Sequence, residues 1–322
     1  MTELGHGTRA YCPFPGCTGG GRVAPVTSPL RGRLSDSQPV SLLAELVDPA
    51  EAESAVAAGA EGVGLLRSWF AVLPDGSPRS VADQQAGYRR VLAAFPGARV
   101  SVEALDPGDR QGPFGVRGVR ALQARPDVLS AQLDALARAM RETDADQVDV
   151  GVVVATVTEA DEATWFLEEA RYAGVATAGV LVDLPAAAVL AGPILRAASF
   201  ATVDTDGLTR YALGADGAAG TGRWADPWQP ASLRLAELVG ASGSLAGKEI
   251  SARGAGVADP LLACVLIGLG VTSLILPVDR LASVRTELAR HSFADCLRYA
   301  ELATRAASAE DARRRVRSAV DH

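Results

Sequence analysis

The sequence predicts an α/β protein built as a single (β/α)8 barrel, and three observations point there. Short apolar runs alternate with amphipathic segments from residue 41 onward, the pattern of a parallel sheet covered by helices. The chain has 322 residues, 48% hydrophobic and 21% charged, which holds a barrel of about 250 residues plus tails. The apolar run Val63 to Leu66 stops on Arg67. A charged residue at the carboxyl end of a barrel strand points into the mouth where ligands sit.

The elements follow in order. Residues 1–38 are rich in Gly, Pro, Ser and Thr without an apolar period, and read as a tail that is flexible or ordered only by docking. The barrel is expected over 39–306 and a last helix over 307–322. Ser41 to Val47 reads as the first strand. Asp48-Pro49 opens a helix with Pro in its first turn, which ends at Gly59. Val63 to Leu66 is the second strand, bounded by Pro74-Asp75-Gly76. A helix is predicted over Val81–Phe95, a strand over Arg99–Leu105 and a long helix over Pro126–Arg141. Val148 to Thr156 is the most strand-like run. A helix over Asp161–Ala173 and a strand over Ala178–Val182 follow, the strand ending on Asp183-Leu184-Pro185 with a helix after it. Phe200 to Asp204 is a strand running into Thr205–Tyr211. Gly214 to Gly222 is a Gly-rich loop without a Gly-Lys-Ser/Thr end, so it is no phosphate-binding P-loop. After Asp226–Pro230 comes a helix. Lys248 to Ala252 is a strand, Leu261 to Gly270 a helix and Val271 to Leu276 the last strand. Helices near Leu281–Ala289 and Phe293–Ala306 close the barrel. The last helix starts at Ser308, an N-cap residue with Asp311 three positions on, and its arginines suit solvent or a partner.

Composition excludes some functions. A net charge of −7 argues against nucleic acid, whose phosphates want a basic face. No run of about 18 apolar residues predicts a membrane span. The first residues carry no apolar signal core, so a cytoplasmic protein is expected. There is no asparagine, and Lys248 is the only lysine, a bias of the kind a GC-rich genome produces. Cys264 and Cys296 fall in apolar or helical patterns as buried hydrophobes. Cys12 and Cys17 read as half of a zinc site or as a redox pair, and with only His6 nearby they fall short of the four ligands of structural zinc.

Gly59-Ala60-Glu61-Gly62-Val63-Gly64-Leu65-Leu66-Arg67, followed by Ser68-Trp69-Phe70, resembles the GAEGIGLLRTEF signature of the phosphoenolpyruvate-utilising enzymes. That family includes pyruvate phosphate dikinase, phosphoenolpyruvate synthase and enzyme I of the sugar phosphotransferase system. The match is to their C-terminal (β/α)8 barrel and covers roughly residues 36–300. Pro113–Arg120 resembles NPFLGWRGIR, one residue shorter, and Asp226–Pro230 resembles the start of DPLHPAVLRLI.

The resemblance implies a mouth that binds phosphoenolpyruvate and Mg²⁺ and passes the phosphoryl group to a histidine on a separate swivelling domain. Arginines hold the phosphate, a Glu and an Asp hold the metal, and a Cys protonates the enolate carbon. Planar guanidiniums suit phosphate, and Mg²⁺ takes hard oxygen ligands. Enolate chemistry needs a cation and a placed proton donor. Arg67, Arg117 and Arg120 match family arginines. The arginine of the RTLD motif is Glu103 here. The metal glutamate of ETP is Asp183. In GTNDLTQY the metal aspartate falls on Gly207 and the asparagine on Asp206, with Asp204 leading the motif. A further substrate arginine falls on Gly217. The cysteine of CGEMAGDP is Arg253, and the glutamate after it is Ala255. An arginine is no acid near neutral pH, and none of the histidines His6, His291 and His322 lies in a family motif.

These departures lead to the expectation that the family's phosphoryl transfer is lost. The chain would then be a pseudoenzyme or binding protein with a partial anion site. The second reading is a repurposed lyase or transferase for a small anionic keto or enol acid. The anion site would be re-centred on Arg253 with Arg67 or Arg117, or else closed by a buried Glu103–Arg253 pair. Mg²⁺ would bind Asp183 with Asp206 or Asp204. The resemblance also implies a homodimer.

Overall fold

Eight parallel strands close into a barrel in the computed structural model, which describes residues 31–108, 115–143, 149–215 and 224–321. They are β1 Ser41–Leu46, β2 Gly62–Leu66, β3 Arg99–Glu103, β4 Asp149–Val154, β5 Thr177–Val182, β6 Phe200–Asp204, β7 Glu249–Arg253 and β8 Ser273–Leu276. Each pairs with its neighbours in sequence, and β1 pairs with β8 to close the ring. The helices are α1 Ala52–Ala57, α2 Val81–Ala94, α3 Gly118–Ala124, α4 Pro126–Glu142, α5 Ala160–Tyr172, α6 Pro185–Val189 and α7 Ala191–Ala197. They continue as α8 Thr205–Leu213, α9 Pro230–Ala246, α10 Pro260–Gly268, α11 Leu281–Leu288, α12 Phe293–Thr304 and α13 Ala309–Val320.

The core divides as a parallel barrel requires. Leu43, Leu65, Val153, Leu181, Phe200 and Ile275 form a cluster of their own inside the ring. The larger cluster lies between the strands and the helices. Phe200 fills the interior only because Gly179 is bare: a Cβ there would lie 2.6 Å from the Phe200 ring. Below it, the Arg99 guanidinium stacks on Phe200, 4.3 Å from the ring centroid, and pairs with Glu249. The amino-terminal end is thereby plugged, and the carboxyl-terminal end is left for the site.

The element boundaries follow the apolar pattern with two differences. The segment after Asp48 is a 3-10 turn, Pro49–Glu51, before α1, held by a reciprocal Asp48–Glu51 capping box. Two helices, α3 and α8, were not expected. Helix α8 begins because Asp204, the last residue of β6, accepts hydrogen bonds from the Asp206 and Gly207 N–H groups. That cap supplies what a sequence with Gly in its first turn lacks.

Part of the segment read as a tail is docked. Leu34 is buried, the Ser35 N–H donates to the His291 carbonyl at 2.9 Å, and the Gly32 N–H donates to Glu61 Oε1 at 2.7 Å. Residues 1–30, with His6, Cys12 and Cys17, lie outside the described residues. So do Pro113 and Phe114 of the second motif and most of the Gly-rich loop. Cys264 and Cys296 are buried free thiols. Among the described residues no helix is long and apolar enough to cross a membrane.

Candidate functional site

The site is built from strand ends. Glu45 (β1), Glu103 (β3), Asp204 (β6) and Arg253 (β7) sit in the last turns of their strands. Arg67 follows β2, and Asp183 follows β5. A closed parallel barrel points all of these residues into one mouth. Asp204 and Arg253 are register partners across β6 and β7.

A chain of ion pairs crosses the mouth. Arg253 Nη1 lies 2.7 Å from Asp204 Oδ2, and Arg253 Nη2 donates to Glu45 Oε1 at 2.8 Å. The same Glu45 oxygen accepts from Arg67 Nη1 at 3.3 Å. Arg67 Nε sits 3.1 Å from Glu103 Oε2, without the alignment of a hydrogen bond. Glu103 is fixed by the Ser68 N–H at 3.0 Å. Its own backbone carbonyl is anchored by Gln132 Nε2 at 2.9 Å. The Nε–H groups of both Arg67 and Arg253 are buried without a hydrogen-bond acceptor. The guanidinium side chains are only 19% and 11% exposed. Buried donors are almost always satisfied, and these two belong to the guanidiniums that converge on Glu45. Burial alone would lower the Arg253 pKa, but the Asp204 and Glu45 carboxylates outweigh it and hold the pKa above its ordinary value.

Asp183 lies on the other side of Asp204. It keeps some surface toward the mouth but sits deep among protein atoms. Burial, and then the Asp204 charge, push its pKa up to about 7. The Thr156 N–H, at 2.9 Å, and the Thr156 hydroxyl, at 3.2 Å, oppose that shift. Thr156 holds φ at 62°, an uncommon conformation for a β-branched residue, and it aims both of its donors at Asp183. Asp206 accepts from the Ala255 N–H at 2.9 Å. At Gly207 a Cβ would lie 2.8 Å from the Asp183 Cβ and 2.9 Å from its carbonyl oxygen. The position that carries a metal aspartate in the family motif is therefore closed to a side chain unless the backbone shifts.

The mouth thus gathers Arg67, Glu103, Asp183, Asp204, Asp206 and Arg253. The alternative of a direct Glu103–Arg253 bridge is not formed, because Glu103 turns to Arg67, and Arg253 to Glu45 and Asp204. Arg117 pairs with Asp106 at 3.2 Å. Burial raises the pKa of Tyr211 on α8, the Asp183 charge adds to the rise and Arg117 opposes it. Arg120 points away to α5, where it pairs with Glu162 and donates to Thr158. Sequence reasoning missed Glu45. Its signal was a lone carboxylate inside an otherwise apolar first strand. Among the described residues no three His, Cys, Asp or Glu side chains converge to hold a metal on their own. His291 is buried between Glu287 and Tyr299.

Residues 27–293 match the family described as PEP-utilising enzyme, PEP-binding domain. The chain is 42% identical over 306 residues to a phosphoenolpyruvate-protein phosphotransferase of Streptomyces coelicolor, covering 90% of this chain and 54% of that protein. It is 32% identical over 274 residues to a multiphosphoryl transfer protein of Rhodobacter capsulatus, covering 80% of this chain and 33% of that protein. The chain therefore spans about half the length, or less, of these curated relatives. Among solved structures, an HpcH/HpaI aldolase/citrate lyase family protein from Burkholderia cenocepacia aligns with TM-score 0.50 at 15% identity, over 79% of this chain and 94% of that one. That likeness concerns the fold alone.

These relatives correct the expectation of a pseudoenzyme or a repurposed lyase. A chain this similar to proteins named as phosphotransferases, over nine-tenths of its length, does not support that reading. The geometry supplies a physical reason. Where the family motif has an arginine the chain has Glu103, and Arg253 supplies a positive charge in the same mouth.

Proposed function

Since the chain belongs to the PEP-utilising enzymes through their PEP-binding domain, we propose that its mouth binds phosphoenolpyruvate and presents the phosphoryl group to a protein histidine. What supports this most directly is the convergence of the Arg67 and Arg253 guanidiniums on Glu45 at the carboxyl ends of the strands. Phosphoryl transfer asks a protein mainly for positioning and charge, and two rigid guanidinium forks supply both. The accepting histidine comes from outside the barrel, because His291 is committed to Glu287 and Tyr299. With Arg253 where the family motif has its cysteine, the enolate left behind is stabilised by guanidinium charge. It takes its carbon proton from water.

Mg²⁺ fits the donor set. Asp183 stands beside the Asp204 carboxylate, and burial and then that charge raise its pKa, while Asp204 also pairs with Arg253. Mg²⁺ needs only one or two carboxylates when phosphate oxygens and water complete its shell. The ion would be held by Asp183 with Asp204, and Asp206 stands beside them. When bound, it supplies charge neutralisation at the phosphate and the enolate oxygen.

The test is calorimetric titration of phosphoenolpyruvate with Mg²⁺ into wild type and Arg67→Gln, alongside phosphohistidine formation on an added histidine-bearing phosphotransferase domain. Binding that weakens by about tenfold or more in the variant, together with labelled phosphohistidine, is expected. A folded wild type that takes up no phosphoenolpyruvate would refute the reading.

A further inference from the structure

The two arginines do not stand independently. One oxygen, Glu45 Oε1, accepts from Arg67 Nη1 at 3.3 Å and from Arg253 Nη2 at 2.8 Å. Each guanidinium then keeps its Nε–H buried and without an acceptor. Two like charges converging on one oxygen repel each other, and the carboxylate between them is what makes the spacing stable. Glu45 is only 15% exposed, so water does little of that screening. Glu45 lies two positions beyond Leu43, which packs inside the ring, so strand alternation turns it inward, next to the point where the β1–β2 register shifts. Glu45 matches no position of the motifs that carry the family resemblance.

We propose that Glu45 is a positioning residue that couples Arg67 and Arg253 into one two-point anion site, suited to a small molecule with two separated anionic groups. The inference rests on the mouth being a ligand site, as proposed above. A phospho-carboxylic acid meets the requirement: one anionic group would pair with the Arg67 guanidinium and the other with that of Arg253. A single-point anion such as inorganic phosphate engages one fork and gains nothing from the spacing. For it, Glu45 is only a nearby negative charge.

The two cases give opposite responses to the same substitution. Glu45→Ala is expected to weaken phosphoenolpyruvate, and the unreactive two-anion probe phosphonoacetate, by about tenfold or more, because the spacing is lost. It is expected to leave inorganic phosphate unchanged or bound severalfold more tightly, because a negative charge is removed. Glu45→Gln keeps an acceptor oxygen at the same place and is expected to retain most of the two-anion affinity. A variant that had merely lost its fold would lose every ligand, and circular dichroism identifies that case directly. If Glu45→Ala weakens all three probes alike while folded, or weakens none, the coupling is refuted. If phosphonoacetate shows the Glu45 dependence and phosphoenolpyruvate does not bind, the functional reading fails and the role of Glu45 stands. A wild type that binds none of the three overturns both.

Discussion

Asp183 carries its own test at the scale of a single side chain. Its carboxyl titrates near 7 in the folded protein, against an ordinary value of 3.8. The native state therefore keeps a proton that the unfolded chain releases. Stability falls as pH rises between those two values, and the penalty is fully present above the higher one. Asp183→Asn removes that penalty while keeping an acceptor for Thr156. The substitution should raise Tm more at pH 8 than at pH 5. Mg²⁺ should raise the wild-type Tm at pH 8 and leave the variant unmoved. Equal Tm differences at the two pH values would show that Asp183 is not the buried acid described here. Arg67 was legible in the sequence because it stands where an apolar run stops, and Glu103, Asp183, Asp204 and Arg253 because they fall on positions of the family motifs. Glu45 was missed although alternation from Leu43 puts it on the inner face of β1, because it stands inside an apolar run and in none of the family motifs.

At the scale of elements, side-chain oxygens start the helices next to the site. Asp259 caps α10 through the Leu261 and Leu262 N–H groups and also accepts the Trp228 indole N–H at 2.8 Å. Asp259→Ala removes the cap and leaves a buried donor unpaired, at a combined cost of about 2–4 kcal/mol. Urea denaturation measures this, and a change below about 0.5 kcal/mol would contradict the assignment. Gly207→Ala brings a Cβ within 3 Å of Asp183 and should cost about 1–3 kcal/mol through overpacking. Strand ends were legible to within two residues, because buried apolar runs stop abruptly at charges and turns. Helix α8 was not, because its sequence is a poor helix former and its start depends on Asp204. In the sequence that residue reads as part of a metal motif rather than as a cap.

For the molecule as a whole, ring closure was readable from the alternation of elements, and the interior packing was not. The Phe200–Gly179 fit and the stacking of Arg99 on Phe200 join residues from three strands. Phe200→Ala should cost about 3–5 kcal/mol and lower the urea midpoint without changing ligand stoichiometry. At the other end of the ring, the mouth sets the carboxylates of Glu45, Glu103, Asp183, Asp204 and Asp206 against the guanidiniums of Arg67 and Arg253. With that surplus of negative charge, a phosphorylated acid should bind far better with a divalent cation than alone. The family was legible from a long motif. The expectation of lost phosphoryl transfer rested on Glu103, Gly207 and Arg253 and is corrected by the relatives, although the compensating move of charge from position 103 to Arg253 was itself readable in the sequence.

The central claim is that this rearranged mouth still holds a phospho-acid between Arg67 and Arg253. Calorimetric titration of phosphoenolpyruvate with Mg²⁺ into wild type and Arg253→Gln tests it most directly. The account predicts one site per chain in the wild type, weakened by about tenfold or more in the variant. Equal affinity in the two folded proteins, or no binding heat in the wild type, would contradict it.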